Sequence, residues 1–559
     1  MGTASSKKHT KDLSRRNFLK GAAATAAGIA SVGLIGCNSA KPQSSKQEAW
    51  DTEAEIVIIG LGAAGLAAAI AAKKEGAQSV LCLEVAPEEF AGGNTRVSGD
   101  MLMIPDDVSS GVTYQTTLND SYEVPSEYIQ AWAEGVCGNM AWLTEELGYD
   151  LQPGTAAAPE FPGLPGSDKI KTYYVDGICG FSSLWLPFMD TAAELGVEIM
   201  YETRATELIF DTTTKEVFGV LAGDKRIKAS KGVIMACGGF ENDPDLLQNY
   251  FPGIGCPNPF YNGSPYNVGD GIRMAQKIGA DLWHMNSIAA SAICGRTLSP
   301  DSRSAGFLNL SSKDYIYINN EGERFMCEET KSLARHGKLK DKGIWPLLTV
   351  PTPSHVIFGS AAFNEKFLFG SIDYMGWSII AEPGPATNQA LVDAGVLVKA
   401  DTLAELARKI GHNADAITAT VDRYNSMVAQ GKDEDFGRGE SVYDNYFFSA
   451  EKASGTSDVT TYSNTKTEVL KAFPLVPIEG PFYAMEVALG LLNTQGGAKR
   501  NGESQVLDTD GSVIPRLYSA GEFGSIYAYM YNGGGNISEA VSTGRIAGIG
   551  CAKLDPWDA

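Results

Sequence analysis

The sequence predicts an α/β fold built around a Rossmann-like dinucleotide-binding domain. A β-branched run at 55–59 leads directly into the turn 60–65, which reads GLGAAG. An alanine-rich segment at 66–74 has the composition of a helix, and a second apolar run at 79–83 ends in Glu84. Strand, glycine turn, helix, strand and terminal acid in this order are typical of a βαβ unit that binds a dinucleotide.

Each part of this unit has an expected role. Gly60 permits the tight turn, Gly62 lets the backbone approach a pyrophosphate, and Gly65 lets helix and strand pack closely. The helix N-terminus supplies unpaired N–H groups and a partial positive charge for the phosphates. Glu84 is expected to accept a hydrogen bond from a ribose hydroxyl. The residues of the turn predicted to contact the cofactor are Gly60, Gly62, Ala63, Ala64 and Gly65.

Composition excludes several other classes of protein. The 559 residues are 44% hydrophobic, which is too apolar for a disordered chain. The net charge of −22 argues against a nucleic-acid surface, which needs a basic stripe. Nine cysteines in this length do not indicate a disulfide framework, and no CxxC or CxxCH occurs. We therefore predict no covalent haem and no metal site.

The first 37 residues have the pattern of an export signal. Arg15 and Arg16 precede a weakly apolar run at 21–36, which is short for a membrane span. The arrangement looks like a twin-arginine signal, and LIGC at 34–37 resembles a lipobox in which Cys37 is acylated. The alternative is a basic helix start followed by a core helix. Residues 38–52 read as a flexible tether, and loss of the basic residues 1–36 changes the net charge to −27.

Six further segments resemble the fumarate reductase flavoprotein superfamily. They occur in the order found in that family and, with the first unit, cover nearly the whole chain from residue 53. The segments are 92–99 (GGNTRVSG), 232–240 (GVIMACGGF), 267–271 (NVGDG), 317–325 (YINNEGERF), 517–522 (LYSAGE), and 533–548, which begins GGGN and ends GRIAG.

The resemblance implies a non-covalently bound FAD and a two-part architecture. A split FAD-binding domain would comprise 53–285 and 476–559, and an α+β capping domain at 286–475 would close over the flavin. Besides the first unit, the residues that would contact FAD are Gly93, Asn94, Thr95, Ser98, Gly99, Gly238, Gly239, Asp270, Gly521, Glu522, Gly534, Asn536 and Ile537.

The substrate residues of the fumarate reductase branch are missing. That branch binds a dicarboxylate with two histidines and two arginines, whose places here fall near Ser291 and at Asn493, Asn532 and Ser332. Only a short insertion would let Arg335 replace the arginine that donates the proton. Without at least two cationic side chains, the negative charge of a bound dicarboxylate would be desolvated and unpaired, which would weaken binding by roughly several kcal/mol. Fumarate is therefore a poor candidate substrate.

The C-terminal loop is instead similar to that of 3-ketosteroid dehydrogenases. It reads Tyr531-Asn532 followed by three glycines, and in those enzymes a tyrosine hydroxyl and the last glycine N–H bind the substrate's ketone oxygen. Carried over, Tyr531 and Gly535 would clamp a carbonyl conjugated to a C=C bond, since positioned donors stabilise enolate charge. The alternatives are that the glycines only pack against the flavin and that Tyr531 only fills core space.

A second group must exchange a proton at the α-carbon. Arg335 and His336 lie close to the place of the family's donor, and we favour Arg335 on loop position although histidine titrates nearer neutrality. His284, beside Trp283, is expected to be structural. The remaining candidates for the proton donor are Tyr315, Tyr317, Tyr527 and Tyr529.

The leading hypothesis is an exported FAD enzyme that reduces a carbonyl-conjugated C=C bond. Because NAD(P)H is scarce outside the cytoplasm, a membrane quinol or cytochrome system would have to supply the electrons. Two alternatives remain. One is a 3-ketosteroid-type dehydrogenase that runs the same chemistry in reverse, and the other is a flavin-bearing lipoprotein that only relays electrons.

Overall fold

The computed structural model describes residues 49–153, 159–161, 164–251, 259–310, 312–328, 336–339, 344–369, 375–380, 384–440, 442–443, 471–472 and 474–559. The twin-arginine segment, Cys37 and Arg335 lie outside these ranges. Among the helices of the described ranges, none has both the length and the apolar character needed to cross a membrane.

The strands in chain order are β1 Thr52–Ile59, β2 Val80–Leu83, β3 Leu102–Pro105, β4 Leu151–Pro153, β5 Ile170–Val175, β6 Glu198–Met200, β7 Ala205–Phe210, β8 Val217–Ala222, β9 Lys225–Met235, β10 Phe260–Tyr261, β11 Leu282–Trp283, β12 Ile288–Arg296, β13 Ala305–Phe307, β14 Tyr315–Ile318, β15 Ser354–Phe358, β16 Val398–Ala400, β17 Val442–Tyr443, β18 Lys471–Ala472, β19 Phe482–Thr494, β20 Gly497–Ala498, β21 Gln505–Leu507 and β22 Val513–Ser519.

The α-helices in chain order are α1 Ala63–Lys74, α2 Gly93–Arg96, α3 Val108–Asn119, α4 Ser126–Ala141, α5 Trp185–Glu194, α6 Pro244–Tyr250, α7 Asp270–Ile278, α8 Ser360–Glu365, α9 Asn388–Asp393, α10 Leu403–Lys409, α11 Ala414–Gln430 and α12 Gly535–Ala552.

An eight-stranded sheet carries the glycine-rich turn. Its order is β21-β22-β9-β1-β2-β6, with β7 and β8 continuing from β9, and the strands from β22 to β6 are parallel. Ile58, near the C-terminal end of β1, pairs with Cys82 of β2 and with Ile234 of β9, and all three side chains are fully buried. A parallel sheet is covered on both faces, which explains the continuous apolar run of β1. Strand, turn, helix and second strand lie where the sequence predicted them.

A seven-stranded sheet lies beside the cleft described below. Its order is β13-β12-β19-β15-β14, and β10 and β16 also pair with β19. The 13-residue strand β19 is central because it pairs with β10, β12, β15 and β16, three of them antiparallel. Helices α10 and α11 cover part of this sheet through buried residues such as Leu406 and Val421.

Helices α1 and α12 pack at unusually short range. A methyl group added at Gly544 would lie 2.3 Å from the carbonyl oxygen of Ala64, and one at Gly548 would lie 2.2 Å from that of Ala68. Only glycine permits this approach, so the last helix presses directly on the first turn of α1. The spacing fixes the N-terminus of α1 against the C-terminal glycine loop.

A buried ionic cluster fixes the chain that follows β14. The Arg324 guanidinium donates to Glu328 at 2.6 and 2.8 Å and to Asp433 at 2.7 and 2.9 Å. Arg438 donates to the same Glu328 carboxylate at 3.2 Å, and the three side chains other than Arg324 are fully buried. The segment Arg324-Phe325 is thus anchored to the turn that follows α11.

Candidate active site

The turn between β1 and α1 is built for close approach of backbone. Gly60 has φ +107°, and a methyl group there would lie 2.2 Å from the carbonyl oxygen of Ala236. A methyl group at Gly65 would lie 2.0 Å from the carbonyl oxygen of Gly60. Neither position tolerates a side chain, which agrees with the roles expected of these glycines.

The N-terminus of α1 is left open toward the cleft. Gly62 is its N-cap residue and makes no side-chain cap, while the N–H of Ala63 donates to Thr95 Oγ1 at 2.9 Å. Glu84 accepts from the N–H of Leu61 at 3.1 Å and from that of Ala86 at 2.8 Å. Burial raises the pKa of Glu84 above its usual value, and these N–H groups oppose the shift.

One continuous cleft runs from this turn to the C-terminal glycine loop. The predicted cofactor residues that line it are Gly60, Gly62, Ala63, Ala64, Glu84, Gly93, Asn94, Thr95, Ser98, Gly99, Gly238, Asp270, Glu522, Gly534, Asn536 and Ile537. Gly65, Gly239 and Gly521 do not line it but pack beneath it. A methyl group added at Gly239 would lie 2.3 Å from Thr494 Oγ1, and one added at Gly521 would lie 2.8 Å from Ala64 Cβ.

Two carboxylates are buried together at the cleft. Asn94 Nδ2 donates to Glu241 Oε1 at 2.8 Å and to Glu522 Oε2 at 3.2 Å. Burial, and then the neighbouring Glu241 carboxylate, raise the pKa of Glu522 well above its usual value. Burial also raises the pKa of Glu241. Like charges this close repel each other, so ionisation of one carboxyl group disfavours ionisation of the other.

These features fit a bound dinucleotide. The open N-terminus of α1 offers unpaired N–H groups to phosphate, and Gly60 and Gly62 leave room for it. The buried Glu522 Oε1 accepts no hydrogen bond from the described part of the chain. Because Glu522 lines the cleft, a ligand hydroxyl would satisfy this oxygen.

The far end of the cleft brings Tyr531 and His336 together. Both residues line it, and their rings meet edge to face with centroids 4.6 Å apart. Burial raises the pKa of the Tyr531 hydroxyl above its usual value, and the backbone N–H groups of Asn536 and Gly534 oppose the shift. Tyr531 therefore remains a neutral hydroxyl that can donate a hydrogen bond.

Glu160 joins this pair, and sequence reasoning missed it. Its Oε2 lies 2.6 Å from His336 Nε2 and accepts from the N–H of Gly533 at 2.8 Å. Asn532 holds the other side of the loop, since its Oδ1 accepts from Tyr114 Oη at 2.7 Å and from the N–H of Glu160 at 3.0 Å. Asn532 thus has a structural role at the place where the fumarate reductase branch has an arginine.

The structure does not present Gly535 to the cleft. Its N–H donates to the carbonyl of Asn532 at 3.0 Å, and an added methyl group would lie 1.9 Å from Tyr527 Oη. Gly533 and Gly534 line the cleft instead. The N–H that was expected to form the second half of the clamp is therefore already bonded within the loop.

The tyrosines considered as proton donors lie elsewhere. Tyr315 and Tyr317 are buried in β14, and neither lines the cleft. Tyr529 Oη accepts from the N–H of Trp345 at 2.6 Å, and Tyr527 packs behind Tyr531 with ring centroids 5.0 Å apart. Within the described part of the chain, His336 is the proposed proton donor that lies at the cleft.

Two further acidic residues were not foreseen: Glu160, which lines the cleft, and Glu241, which is buried behind Asn94. Glu241 directly follows the GGF motif, so its position in the sequence could have pointed to it. Glu160 lies in an Ala- and Pro-rich stretch without periodicity, which gives no signal. Apolar side chains also line the cleft, namely those of Met101, Tyr174, Cys179, Ala290, Ile293, Phe307, Met375 and Leu492.

His284 has the structural role expected for it. Its Nδ1 lies 2.5 Å from the carbonyl oxygen of Ser525, and its ring stacks on Trp283 at 4.4 Å. Burial lowers its pKa to about 4, so the ring is neutral near pH 7.

Comparison with known proteins identifies the family. The FAD binding domain model matches residues 55–537, and the model of the twin-arginine translocation signal sequence matches residues 12–31. The 4-oxocyclohexanecarboxylate 2-dehydrogenase of Sinomonas cyclohexanicum is 27% identical over 579 residues, covering 88% of this chain and 92% of that protein. A probable fumarate reductase of Shewanella frigidimarina is 26% identical over 554 residues, covering 92% of this chain and 80% of that protein.

A solved structure has the same fold. The 3-ketosteroid Δ1-dehydrogenase of Sterolibacterium denitrificans superposes with a TM-score of 0.66 at 20% identity, covering 90% of this chain and 99% of that chain. The superfamily, the FAD cofactor and the export signal expected from the sequence are confirmed. The chain belongs to the FAD-binding family of fumarate reductase and succinate dehydrogenase flavoproteins, and it is an FAD-dependent oxidoreductase that acts on CH–CH groups.

Proposed function

We propose that the protein reduces a carbonyl-conjugated C=C bond outside the cytoplasm, as a step of anaerobic respiration. The observation that carries the proposal is the meeting of Tyr531 and His336 at one end of the cofactor cleft, 4.6 Å apart. The Tyr531 hydroxyl is a neutral hydrogen-bond donor, and the His336 imidazole can exchange a proton. Reduction of an enone needs both functions beside a hydride source.

Bound FAD would supply the hydride exchange, held non-covalently by the cleft residues described above. The buried Tyr531 hydroxyl would donate to the carbonyl oxygen and stabilise the enolate charge that forms there. A residue of the 286–475 region, Arg335 or His336, would provide the proton at the α-carbon. Gly535 would not contact the substrate carbonyl, because its N–H already donates to the carbonyl oxygen of Asn532.

The charges of the cleft favour a substrate without carboxylates at the reacting end. Among the described residues that line the cleft, those whose side chains can carry a positive charge are Arg204 and His336. Arg204 is ion-paired with Asp270, which also lines the cleft. A dicarboxylate would leave at least one charge unpaired in an apolar site. The apolar side chains that line the cleft, such as those of Met101 and Phe307, suit a neutral alicyclic or aliphatic unsaturated ketone.

We also propose the domain division and the attachment. Residues 53–285 and 476–559 would form the FAD-binding domain, consistent with the sheet that joins β1, β2 and β9 to β22. Residues 286–475 would form the capping domain. A lipid on Cys37 would hold the mature protein at the membrane, close to the quinol or cytochrome system that supplies electrons.

Replacement of Tyr531 by phenylalanine tests the role of its hydroxyl. Wild-type FAD enzyme is assayed anaerobically with reduced viologen against a panel of cyclic and acyclic enones. We expect Y531F to lower kcat/KM by roughly 100-fold for the enones that the wild type reduces, since one donor to a forming oxyanion contributes that much. An unchanged kcat/KM would remove the main support for a carbonyl substrate.

The reverse reaction is the second candidate, favoured by the similarity to 4-oxocyclohexanecarboxylate and 3-ketosteroid dehydrogenases. The saturated counterparts of the panel are assayed with an artificial electron acceptor. Oxidation of these ketones, with no reduction of any enone, would assign the protein as a dehydrogenase instead of a reductase.

A further inference from the structure

The backbone and one ring nitrogen of His336 are both held by hydrogen bonds where the residue lines the cleft. His336 has φ +47°, a conformation that costs a non-glycine residue energy. Its carbonyl accepts from the N–H of Ala290 in β12 at 3.3 Å, which anchors the segment to the second sheet. The strained backbone directs the imidazole ring into the cleft beside Tyr531.

Glu160 fixes this ring through one nitrogen. Glu160 Oε2 lies 2.6 Å from His336 Nε2, slightly shorter than the roughly 2.7–2.9 Å of a charge-assisted N–H···O hydrogen bond, and the carboxyl side chain is only 7% exposed. The same oxygen accepts from the N–H of Gly533 at 2.8 Å. The carboxylate is therefore held by the loop that carries Tyr531, so both side chains are positioned by one segment.

The opposite ring nitrogen is available. His336 Nδ1 makes no hydrogen bond to the described residues, and His336 lines the cleft. A carboxylate on one imidazole nitrogen fixes the tautomer and stabilises the protonated ring, which leaves the other nitrogen to exchange a proton with a substrate. No acidic side chain besides Glu160 is hydrogen-bonded to His336 in the described ranges.

We propose that His336 is the catalytic proton-exchange residue of this site and that Glu160 is the residue that positions it. The inference rests on the proposed function and selects His336 over Arg335. In the reducing direction His336 Nδ1 gives its proton to the α-carbon, while the β-carbon gains a hydride and the electron pair of the enolate forms the new C–H bond. The neutral imidazole keeps its Nε2 proton on Glu160 and is reprotonated at Nδ1 by water. In the oxidising direction Nδ1 takes the α-proton.

Two variants separate the charge of Glu160 from its shape. Glu160→Gln keeps the size and an acceptor for Gly533 but removes the charge, and Glu160→Asp keeps the charge but withdraws it by one methylene. We expect enone-dependent reoxidation of the reduced FAD enzyme to fall about 100-fold or more in E160Q and H336Q, the usual contribution of general acid catalysis. E160D should recover part of this loss. Reduction of the bound FAD by reduced viologen should stay within about twofold of wild type in all three variants.

A proton NMR spectrum of the FAD-loaded protein without substrate provides a second measurement. The charge-assisted bond between His336 and Glu160 should give a far-downfield exchangeable proton signal in wild type and in Y531F, and none in E160Q or H336Q. The control is Asp435→Asn, which removes an exposed ion pair with Arg423 and should change neither measurement.

The outcomes distinguish this inference from the function on which it rests. If the wild type is reoxidised by an enone and E160Q is equally fast, the inference is wrong while the proposed function stands. Absence of the downfield signal from wild type also overturns it. If no enone reoxidises the wild type, the proposed function fails and the inference fails with it.

Discussion

At the scale of single residues, the most informative groups are those whose charge the fold suppresses. Burial lowers the pKa of His284 to about 4 and that of His355 to about 4, and the neighbouring His412 adds to the shift of His355. Neither histidine lines the cofactor cleft. Their ionisation should therefore affect the stability of the fold, separately from the chemistry of the site.

The sign of this effect follows from proton linkage. Unfolding exposes each histidine, whose pKa then returns to about 6.5, so the unfolded chain binds more protons between pH 6.5 and pH 4. The stabilisation from the neutral ring is complete above pH 6.5 and is lost as the pH falls toward 4. We expect His355 to account for about 2 kcal/mol of lost unfolding free energy between pH 7 and pH 5.

The measurement is urea unfolding of the FAD enzyme at the two pH values, for wild type and His355→Gln. Buried acids act in the opposite direction, since burial raises the pKa of Asp100 to about 8, so only the difference between variant and wild type isolates the histidine. The prediction is contradicted if lowering the pH from 7 to 5 reduces the unfolding free energy of the variant as much as that of the wild type.

At the scale of elements, the contact between α1 and α12 holds the helix that follows the glycine-rich turn at Gly60. Gly548 brings the α12 backbone against the carbonyl oxygen of Ala68, where a methyl group would lie at 2.2 Å. The backbones of α1 and α12 cannot shift locally to make room for a methyl group, as a flexible side chain could. The two helices must separate if any side chain is added here.

Gly548→Ala should therefore destabilise the protein although alanine is the better helix former. Overpacking costs about 1–3 kcal/mol, and the gain in helix propensity returns about 1 kcal/mol. We expect a net loss of unfolding free energy and weaker FAD retention, because displacement of α1 moves the turn at Gly60. Thermal unfolding and the fraction of FAD retained after gel filtration measure the two effects.

Gly550→Ala is the matched control in the same helix. The nearest atom to a methyl group there is the Tyr518 ring at 3.2 Å, a side chain that can shift by a few tenths of an ångström. This variant should be neutral or slightly stabilised. Equal destabilisation of both variants would mean that general helix perturbation, and not the contact with α1, explains the result.

The elements also show how far sequence reasoning reaches. The unit of β1, turn, α1 and β2 was predictable because its signals are local: an apolar run, glycines at fixed spacing and Glu84 at the strand end. The central position of β19 was not predictable, since it depends on pairing with distant strands, such as Phe260 with Gly490, about 230 residues further along the chain. Glu160 was missed for the same reason, because only the folded chain brings it to His336.

At the scale of the whole molecule, the net charge bears on how the protein can meet a membrane surface. The chain has a net charge of −22, which becomes −27 when residues 1–36 are removed. Such a surface is repelled by anionic headgroups, so electrostatics disfavour contact with the membrane. Attachment of the mature protein would then depend on an acyl group at Cys37, each buried CH₂ of which contributes about 0.8 kcal/mol.

Cys37→Ala should move the exported enzyme from the membrane fraction to the soluble fraction without loss of FAD or activity, since Cys37 precedes the flavin-binding residues by a tether at 38–52. Fractionation of cells that express wild type or variant, followed by flavin fluorescence and viologen-linked assay, measures the distribution. The double variant Arg15→Lys, Arg16→Lys is the control, because loss of the twin-arginine signal should keep the precursor in the cytoplasm. If C37A stays with the membrane after a high-salt wash, a protein partner and not a lipid holds the enzyme there.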